Sequence, residues 1–469
     1  MPHKIEKFSG ECKVQKKIQW DQALIEKYNY SGPRYTSYPT ALEFDDSFTM
    51  DNLVTAIDGS TSDRLSLYIH IPFCHMLCYY CGCNKIITRH SHKADHYLEF
   101  LAREIKQRAK LFKHQLVIQM HWGGGTPTFL TKDQISKLVA LLRSEFNFAD
   151  EGEFSIEIDP REIELDTLDH LREVGFNRIS LGVQDFNKDV QKAVNREQSE
   201  EFIFAMIARA KELGFVSTSI DLIYGLPHQT EETFAKTIER VIELSPDRLS
   251  VFNYAHLPSV FAAQRKLKDE DMPTPRQKLQ ILENTINQLV AAGYQYIGMD
   301  HFAKPDDELA ILQNNGKLHR NFQGYTTQEE CDLLGLGVSA ISQIGNCYAQ
   351  NQKDINKYYR DIDNDEHALW KGVSLNEDDF IRRKVIKQLI CHFELEFSTI
   401  EEMWDLKFED YFAEDMKLLQ TFINDELVTY GDRKLTVTPK GELLIRNICM
   451  CFDVYLRDKA RQQQFSRVI

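Results

Sequence analysis

The chain has 469 residues, enough for two or three domains and a large hydrophobic core. Its 56 lysine and arginine residues against 71 aspartate and glutamate residues give a net charge of −15, which disfavours a nucleic-acid substrate. No apolar run approaches the ~20 residues that a membrane span needs. Ten scattered cysteines and a start without a secretory signal argue against a disulfide framework, so we expect a reducing, cytoplasmic location.

The N-terminal segment differs in character from the rest of the chain. Residues 1–60 are polar and irregular, and turn-forming and aromatic residues are dense over 31–40, which predicts an arm at the protein surface. From Leu65 onward, short β-rich segments alternate with amphipathic helical segments, the pattern of a parallel α/β sheet.

Six βα units succeed one another in this region. We predict strands over residues 65–71, 115–122, 153–158, 178–183, 217–223 and 248–254. Between them we predict helices over residues 94–112, 132–146, 165–174, 200–213 and 231–244. Six such units make most of a barrel, so the expected fold class is α/β, a partial (β/α)6 barrel of the TIM type.

In parallel α/β folds the active site forms on the loops at the carboxyl ends of the strands. Unusual residues come after nearly every predicted strand here. In chain order they are the cysteine-rich loop from Cys74, the glycines 123–125, the segment 159–161 with Glu157 before it, the pair 184–185, and the segment 224–227 with Asp221 before it. We therefore expect one rim of the barrel to carry the functional groups.

The cysteine loop holds Cys74, Cys78, Cys81 and Cys83 within ten residues, directly after the first strand. Three thiolates at these spacings can hold three irons of a cubane cluster and leave the fourth iron open to a substrate or cosubstrate. A structural zinc site is the alternative, although zinc sites usually use two ligand pairs that a longer loop separates. The spacing favours an iron–sulfur site.

Other residues on this rim admit two interpretations each. The glycines 123–125 allow the backbone to approach a ligand, or they form a plain tight turn. Glu157 could accept hydrogen bonds from ribose hydroxyls, or it is a solvated carboxylate. Asp221 lies in an apolar strand, so we expect it to have a partner. His70 and His121 are predicted to be core imidazoles without a catalytic role.

Beyond the barrel we predict a helix over 276–292, a strand over 294–299, and a glycine-rich segment over 334–341. Helices over 378–393 and 408–422, a hairpin over 427–437 with Gly431 at its turn, and a helix from Gly441 predict a small winged-helix-like domain. Its expected role is that of a structural element or lid, given the acidic chain. We expect Cys449 and Cys451 to lie in its core. The expected domains are an arm (1–60), a catalytic domain with an extension (61–365) and a helical domain (366–469).

The cysteine spacing, with the aromatic Tyr80 before the last ligand, resembles the signature of the radical S-adenosylmethionine (SAM) superfamily. More narrowly, the chain resembles the oxygen-independent coproporphyrinogen III oxidase family. The similar segments are 34–40, 68–74, Cys83, 121–128, 195–197 and 221–227, and the resemblance runs from about residue 20 to 465–469. No motif position departs from the pattern.

The resemblance implies a [4Fe–4S] cluster on Cys74, Cys78 and Cys81, with Cys83 a family marker and not a ligand. It implies that one SAM chelates the open iron and is contacted by Tyr68, Gly124, Glu157 and Ile341. It further implies a second SAM at Tyr80, Gly125, Thr126, Gln184, Arg196, Asp221 and Ala255. No side chain is assigned a catalytic role beyond the cluster and SAM.

The implied reaction begins when the cluster reduces SAM to a 5′-deoxyadenosyl radical, which takes a hydrogen from a propionate β-carbon. Two propionates of coproporphyrinogen III become vinyl groups, giving protoporphyrinogen IX. The implied partner is a flavodoxin-like or ferredoxin-like one-electron reductant, and we expect a monomer. Because the substrate carries four carboxylates, we expect a local basic lining, with Arg34 as its candidate.

Three other functions compete with this one. A related haem chaperone generally has an aromatic residue where Cys83 stands and lacks the segment 34–40, so both features favour the oxidase. A radical SAM enzyme that modifies tRNA is disfavoured by the acidic charge and by the absence of a basic C-terminal module. A ferredoxin-like electron carrier would need neither 469 residues nor the glycine-rich rim.

Overall fold

A computed structural model describes residues 18–329 and 331–457. The strands are β1 (Arg64–Ile71), β2 (Phe73–Cys74), β3 (Ile86–Ile87), β4 (Leu116–Gly124), β5 (Asn147–Ile158), β6 (Arg178–Gln184), β7 (Ser217–Tyr224), β8 (Arg248–Asn253), β9 (Gln295–Gly298), β10 (His301–Ala303), β11 (His319–Asn321), β12 (Gly324–Thr326), β13 (Asp332–Leu336), β14 (Ile341–Ile344), β15 (Cys347–Asn351), β16 (Leu369–Ser374), β17 (Glu394–Glu396), β18 (Val428–Gly431) and β19 (Lys434–Val437).

The α-helices are α1 (Gln22–Tyr28), α2 (Met50–Asp58), α3 (His92–Ala109), α4 (Lys132–Glu145), α5 (Asp166–Glu173), α6 (Lys188–Ala193), α7 (Glu200–Glu212), α8 (Glu231–Leu244), α9 (Pro275–Ala291), α10 (Glu308–Asn314), α11 (Ile355–Asp363), α12 (Glu377–His392), α13 (Phe397–Trp404), α14 (Phe408–Tyr411), α15 (Ala413–Asn424) and α16 (Ile445–Met450). Over the described ranges, every helix is too short or too polar to cross a bilayer.

Twelve of the described strands form one sheet. Within it β1 and β4 to β8 lie side by side in chain order, and each pair is parallel. Strand β13 continues the parallel sheet beyond β1, whereas β14 to β16 on that side, and β10 and β9 beyond β8, run antiparallel. The ends of the sheet are β16 and β9, so the six predicted βα units form an open, partial barrel, as expected.

The alternation of side chains along β1 shows why this sequence forms a barrel strand. Leu65, Leu67 and Ile69 are fully buried in the core between the sheet and the surrounding helices. The intervening Ser66 and Tyr68 point the other way, and Ser66 Oγ donates to Gln119 on the neighbouring strand. One face of the strand therefore packs, and the other lines a polar barrel interior.

The helices between the strands begin at side chains that satisfy their first backbone amides. Thr131 before α4, Thr230 before α8 and Thr274 before α9 each form a capping box with the residue three positions later. Such boxes account for helix starts that agree with the predicted positions to within one residue.

A second hydrophobic core belongs to the C-terminal part of the chain. Helix α12, helices α13 to α16 and the three-stranded sheet β17–β19–β18 surround it, which confirms the winged-helix-like arrangement. Cys449 and Cys451 are buried in it, as predicted.

The arm is not a surface segment in its described part, so that expectation was wrong. Tyr28, Tyr35 and Tyr38 are at most 5% exposed and lie in the C-terminal core. The Tyr28 ring stacks on Phe422 with 4.6 Å between ring centroids, and Tyr35 Oη donates to Asp453 at 3.0 Å. These buried tyrosines therefore attach the arm to the C-terminal core.

Two local predictions in the C-terminal part were also wrong. The helix expected over 408–422 is two helices, because the chain leaves helical geometry at Phe412, where the buried ring packs between Phe408 and Phe452. Gly431 ends strand β18, whereas the turn itself is made by Asp432 and Arg433, both with positive φ. Two left-handed residues are what a two-residue hairpin turn requires.

Candidate active site

The cysteine loop leaves the carboxyl end of β1 and is fixed by the short parallel pair β2 and β3. Cys74 lies in β2 and accepts a hydrogen bond from Thr126 Oγ1, with 3.4 Å between oxygen and sulfur. Burial raises the pKa of the free Cys74 thiol to about 12. A ligand cation is therefore needed before this sulfur ionises at neutral pH.

Cys78 is surrounded by buried charge. Arg161 Nη2 and Arg196 Nη1 each donate to Cys78 Sγ, at 3.3 and 3.4 Å. Both guanidinium groups also pair with Asp159, at 2.6 and 3.0 Å. Burial alone would raise the pKa of Asp159, but Arg196 and Arg161 lower it to about 2. Two cations and one anion therefore leave a net positive charge beside the Cys78 sulfur.

Cys81 and Cys83 are neighbours, and their side chains are hydrogen-bonded to each other. This contact, with help from Lys85, whose ammonium donates to the Cys81 carbonyl at 2.9 Å, outweighs burial and lowers the pKa of Cys81 to about 6. Cys83 is exposed, and the same contact raises its pKa. Cys81 is thus the better thiolate ligand of the pair.

The donor set fits an iron–sulfur cluster. Cys74, Cys78 and Cys81 lie on one loop, and the hydrogen bonds from Thr126 and the two arginines are of the kind that tunes cluster sulfurs. Among residues 18–329 and 331–457, no three His, Cys, Asp or Glu side chains converge closely enough to hold a single metal ion.

The glycines at the end of β4 are required because other parts of the chain pack too closely against them to leave room for a side chain. A Cβ on Gly124, whose φ is +115°, would lie 2.5 Å from the His70 ring, and one on Gly125 would lie 2.7 Å from the Pro72 backbone. The Gly124 amide donates to Glu157 at 3.3 Å, and the Gly125 amide donates to the carbonyl of Ile71. These glycines therefore allow the ends of neighbouring strands to pack closely at the rim.

Glu157 lies in the centre of this arrangement. Its carboxylate accepts from the Gly124 amide and lies 3.3 Å from His121 Nε2. Burial acts to raise the pKa of Glu157, but His121 and the amide outweigh it and hold the pKa below its usual range. Tyr68 stacks on the His121 ring with 6.0 Å between centroids. An ionised acceptor therefore faces Tyr68 on the barrel interior.

Asp221 has the partners that its apolar strand predicted. Ser180 Oγ donates to it at 3.2 Å, and Ser250 also forms a hydrogen bond with it. Burial and the nearby charge of Glu157 raise the pKa of Asp221 to about 6 despite these bonds. His70 and His121, predicted as partnered imidazoles, are both hydrogen-bonded.

The remaining predicted residues surround the same space. Tyr80 lies close enough to Arg196 and Cys78 for their charges to act on its hydroxyl, and the carbonyls of Tyr80 and Ala255 both accept from Gln264 Nε2, at 2.9 and 3.3 Å. Gln184 has a φ of +68°, and its amide nitrogen lies beside Arg196, over Gly182. Ile341 packs on Gly335, which is in register with Tyr68. The structure thus brings all the predicted positions to one rim.

Sequence reasoning missed several residues that organise this rim. Asp159 and Arg161 were placed on it without a role, and Lys85 and Gln264 were not considered. The signal for the first two was available, because a charged Asp-Pro-Arg segment directly after a buried strand needs partners. Gln264 lies far along the chain and carried no such signal.

A cavity of about 830 Å³ lies at the opposite end of the barrel. Its walls include Arg64 and Asp332 at the amino ends of β1 and β13, together with His319 and Lys384. None of the predicted cluster or SAM positions borders it.

Comparison with known proteins agrees with this site. The family model described as the Radical SAM superfamily matches residues 68–241. An oxygen-independent coproporphyrinogen III oxidase of Escherichia coli (strain K12) is 65% identical over 452 residues, covering 96% of this chain and 99% of that protein. The enzyme of that name from Pseudomonas aeruginosa is 52% identical over 457 residues, covering 96% and 99%.

Among solved structures, a coproporphyrinogen III oxidase from Escherichia coli described as a radical SAM enzyme superimposes with a TM-score of 0.91. It is 62% identical and covers 94% of this chain and all of that one. The chain therefore belongs to the oxygen-independent coproporphyrinogen III oxidase family of radical SAM enzymes.

Proposed function

We propose that this enzyme converts two propionate side chains of coproporphyrinogen III to vinyl groups without oxygen, giving protoporphyrinogen IX. The observation that carries the proposal is the cysteine loop, whose sulfurs receive hydrogen bonds from Thr126, Arg161 and Arg196 at the mouth of the barrel. When bound, a [4Fe–4S] cluster and SAM supply one-electron chemistry that removes a hydrogen atom from the propionate β-carbon.

The protein's own contribution is to hold the cluster and to bias its charge. We propose Cys74, Cys78 and Cys81 as ligands of three irons. The buried pair Arg161 and Arg196, only partly neutralised by Asp159, stabilises a more negative cluster than an apolar site would. Cys83 is proposed to support Cys81 by a hydrogen bond and not to bind iron.

We propose the same rim as the binding site for two SAM molecules. The first would meet Tyr68, Gly124, Ile341 and the ionised Glu157, which can accept hydrogen bonds from ammonium or hydroxyl groups. The second SAM would be contacted by Tyr80, Gly125, Thr126, Gln184, Arg196, Asp221 and Ala255.

A one-electron reductant has a suitable docking surface beside the cysteine loop. A groove of about 750 Å³ there is bordered by His75, Arg89 and Lys93, of which Arg89 and Lys93 are exposed cations. In a chain of net charge −15, such a basic patch selects an acidic partner. We propose that a flavodoxin-like or ferredoxin-like protein binds at this groove. Reversing Arg89 and Lys93 to Glu should slow reduction by such a protein but not by dithionite.

We further propose three structural units that act together as a monomer in the cytoplasm. Among the described residues of the arm (1–60), Tyr28, Tyr35 and Tyr38 lie in the core of the helical domain (366–469), whereas Ile25, Phe48, Leu53 and Ala56 lie in the core of the catalytic domain (61–365). Because β16 belongs to the large sheet, we place the last boundary after Ser374. Analytical ultracentrifugation at micromolar concentration should give the mass of one chain.

The direct test is anaerobic turnover. The reconstituted protein is incubated with SAM, a reductant and coproporphyrinogen III, and vinyl products, CO2 and methionine are measured by mass spectrometry. We expect two CO2 per porphyrinogen consumed. Haem retention without vinyl product would contradict the proposal and would favour the chaperone.

Two variants control for nonspecific effects in this assay. Cys78→Ser removes a proposed ligand and should abolish all products, whereas Cys331→Ser removes a half-buried thiol at the other end of the barrel and should change nothing. SAM stoichiometry is measured separately, by equilibrium dialysis of the reconstituted protein; one SAM per chain would contradict the second site.

A further inference from the structure

A continuous wall of rings and cations lies on the side of the barrel away from the cysteine loop. The Arg34 guanidinium lies 5.8 Å from the centre of the Phe252 ring, and Phe252 meets the His301 ring edge to face at 6.0 Å. His301 meets Tyr325 at 5.2 Å, and the Arg320 guanidinium lies 4.6 Å over Tyr325. The wall therefore has a cation at each end and aromatic rings between.

Strand register places Phe252 and His301 of this wall on the barrel interior, whereas Arg320 also borders the cavity at the amino end of the barrel. Asp221 on β7 is opposite Ser250 on β8, and Ser250 is opposite His301 on β10. Side chains that are directly opposite in a sheet point to the same face, and neighbouring strands lie about 4.8 Å apart. His301 therefore lies two strands from Asp221 on the face that lines the active site. Phe252, two residues after Ser250, lies on that face nearer the rim.

Arg320 is the least satisfied group in the wall. It is 4% exposed, and among the described residues its Nε and Nη1 atoms are buried without a hydrogen-bond partner. His301 Nδ1 is likewise buried without one. A buried guanidinium nitrogen without an acceptor is costly, and an incoming carboxylate oxygen could accept a hydrogen bond from one of the two Arg320 nitrogens.

Further charged groups lie close to the wall. Arg446 adds a third buried guanidinium, which donates to the carbonyl of Pro33 at 2.8 Å and acts electrostatically on Arg34 and Arg320. Asp300 forms an ion pair with Arg34, and the charge of Glu442 acts on Tyr296. Burial and the cations lower the pKa of His301 to about 3, so its ring is neutral.

We propose that this wall binds the two propionate carboxylates of the porphyrinogen that survive the reaction, with Arg320 and Arg34 as their cationic contacts. The proposal rests on the proposed function, because that reaction leaves two of the four propionates intact. Phe252 and Tyr325 then face the macrocycle, and the reacting propionates extend toward the cysteine loop. Arg34 and Arg320 are positioning and specificity residues on this account.

Equilibrium binding of porphyrins tests the wall without turnover. The reconstituted, anaerobic enzyme is titrated with coproporphyrin III, which has four propionates, and with protoporphyrin IX, which has only the two unreacted ones; porphyrin fluorescence reports binding. Arg320→Gln should raise the Kd of both about tenfold or more, since charge-assisted hydrogen bonds are lost. Arg320→Lys should recover part of this loss, and the methyl esters of both porphyrins should bind the Gln variant and wild type equally.

Arg34→Gln provides a second variant should Arg320→Gln fail to fold, as judged by circular dichroism. Its matched control is Arg209→Gln, because Arg209 forms a similarly half-exposed ion pair with Asp169 between the outer helices α5 and α7. Unchanged Kd values in both wall variants would overturn the proposal. Weaker binding of coproporphyrin III alone would overturn the assignment to the surviving propionates. Failure of the wild type to form vinyl product would instead count against the proposed function.

Discussion

The arginine side chains at the two ends of the barrel have different kinds of partners. At the amino end, arginines pair with carboxylates on neighbouring elements: Arg178 with Glu308 at 2.7 Å, and Arg248 with Asp307 at 2.8 Å. At the carboxyl end, Arg161 and Arg196 share the single Asp159 and direct further donors at Cys78. The first arrangement pairs each arginine with its own carboxylate, whereas the second turns guanidinium donors toward a sulfur.

This difference is a better guide to the chemistry than cavity size. The cavity of about 830 Å³ lies at the amino end, and none of the predicted cluster or SAM positions borders it. The site lies where hydrogen-bond donors converge on a thiol and where Asp221 is buried beside a second acid. Perturbed and incompletely paired groups mark function because stability alone would not select them.

The largest effect is expected from replacing cysteines of the loop at the carboxyl end of the barrel. Cys74→Ser, Cys78→Ser or Cys81→Ser should each abolish the visible iron–sulfur absorption and all SAM cleavage, because three ligands are the minimum for a site-differentiated cluster. Cys83→Ser should keep the absorption. The reconstituted variants are compared by anaerobic absorption spectra and iron content; loss of colour in Cys83→Ser would make Cys83 a ligand.

The next comparison removes one buried arginine at each end. Arg196→Gln and Arg178→Gln should both lower the free energy of unfolding by about 1–3 kcal/mol, because each removes a charged hydrogen bond from a carboxylate that keeps one other arginine. Arg196→Gln alone should lower product formation, by about 100-fold, since it also misplaces Cys78. Denaturant titration and turnover are measured on the same samples, and equal activity losses would contradict the distinction.

Opposite signs of stability change are expected for two aspartates. Burial holds the pKa of Asp221 at about 6, above its usual 3.8, so the unfolded chain releases this proton first and the folded state loses stability as pH rises from about 4 to 6. Asp221→Asn removes that loss. Relative to wild type, its unfolding free energy should rise by up to about 3 kcal/mol between pH 4 and pH 7, while SAM binding weakens.

Asp307→Asn is the matched change at the amino end. Asp307 bonds Arg248 and caps α10 through the Leu309 amide at 2.8 Å, so the variant should be less stable than wild type, by about 2 kcal/mol at pH 7. Urea unfolding of the apo-proteins across this pH range measures both effects. A flat difference between Asp221→Asn and wild type would refute the raised pKa.

The smallest effect concerns a single hydrogen bond to sulfur. Thr126→Val removes the donor to Cys74 and should lower the reduction potential of the cluster by about 20–60 mV, because the bond favours the more negative reduced state. Thr128→Val is the control, since the buried Thr128 Oγ1 has no hydrogen-bond partner among the described residues. Spectroelectrochemistry should show a shift in the first variant and none in the second.

Much of the fold was predictable because its signals are local. The barrel strands carry runs of buried aliphatic residues, and threonine capping boxes fix the starts of α4, α8 and α9. The rim was predictable too, because parallel strands bring their carboxyl ends together. Cys74 and Thr126 follow consecutive predicted barrel strands, which places both on the same rim.

The contacts that escaped prediction join distant parts of the chain. Nothing near Arg320 or His301 in sequence indicates that the two converge with Arg34, and Phe412 breaks its helix for packing reasons that only the folded core supplies. The packing around glycines 123–125 could not be predicted for the same reason. Their neighbours are His70, Glu157 and Pro72, so self-packing and not only ligand approach requires them.

The N-terminal arm and the C-terminal part of the chain meet in one core, and this has a consequence for biosynthesis. Tyr35 is bonded to Asp453, which is 418 positions later. At translation rates of 5–20 residues per second, the arm waits roughly 20 to 80 s for its partner to emerge from the ribosome. During that interval the tyrosines of the arm lack the core that buries them. Synthesis of the segment around Asp453 therefore sets the earliest moment at which the arm can complete its folding.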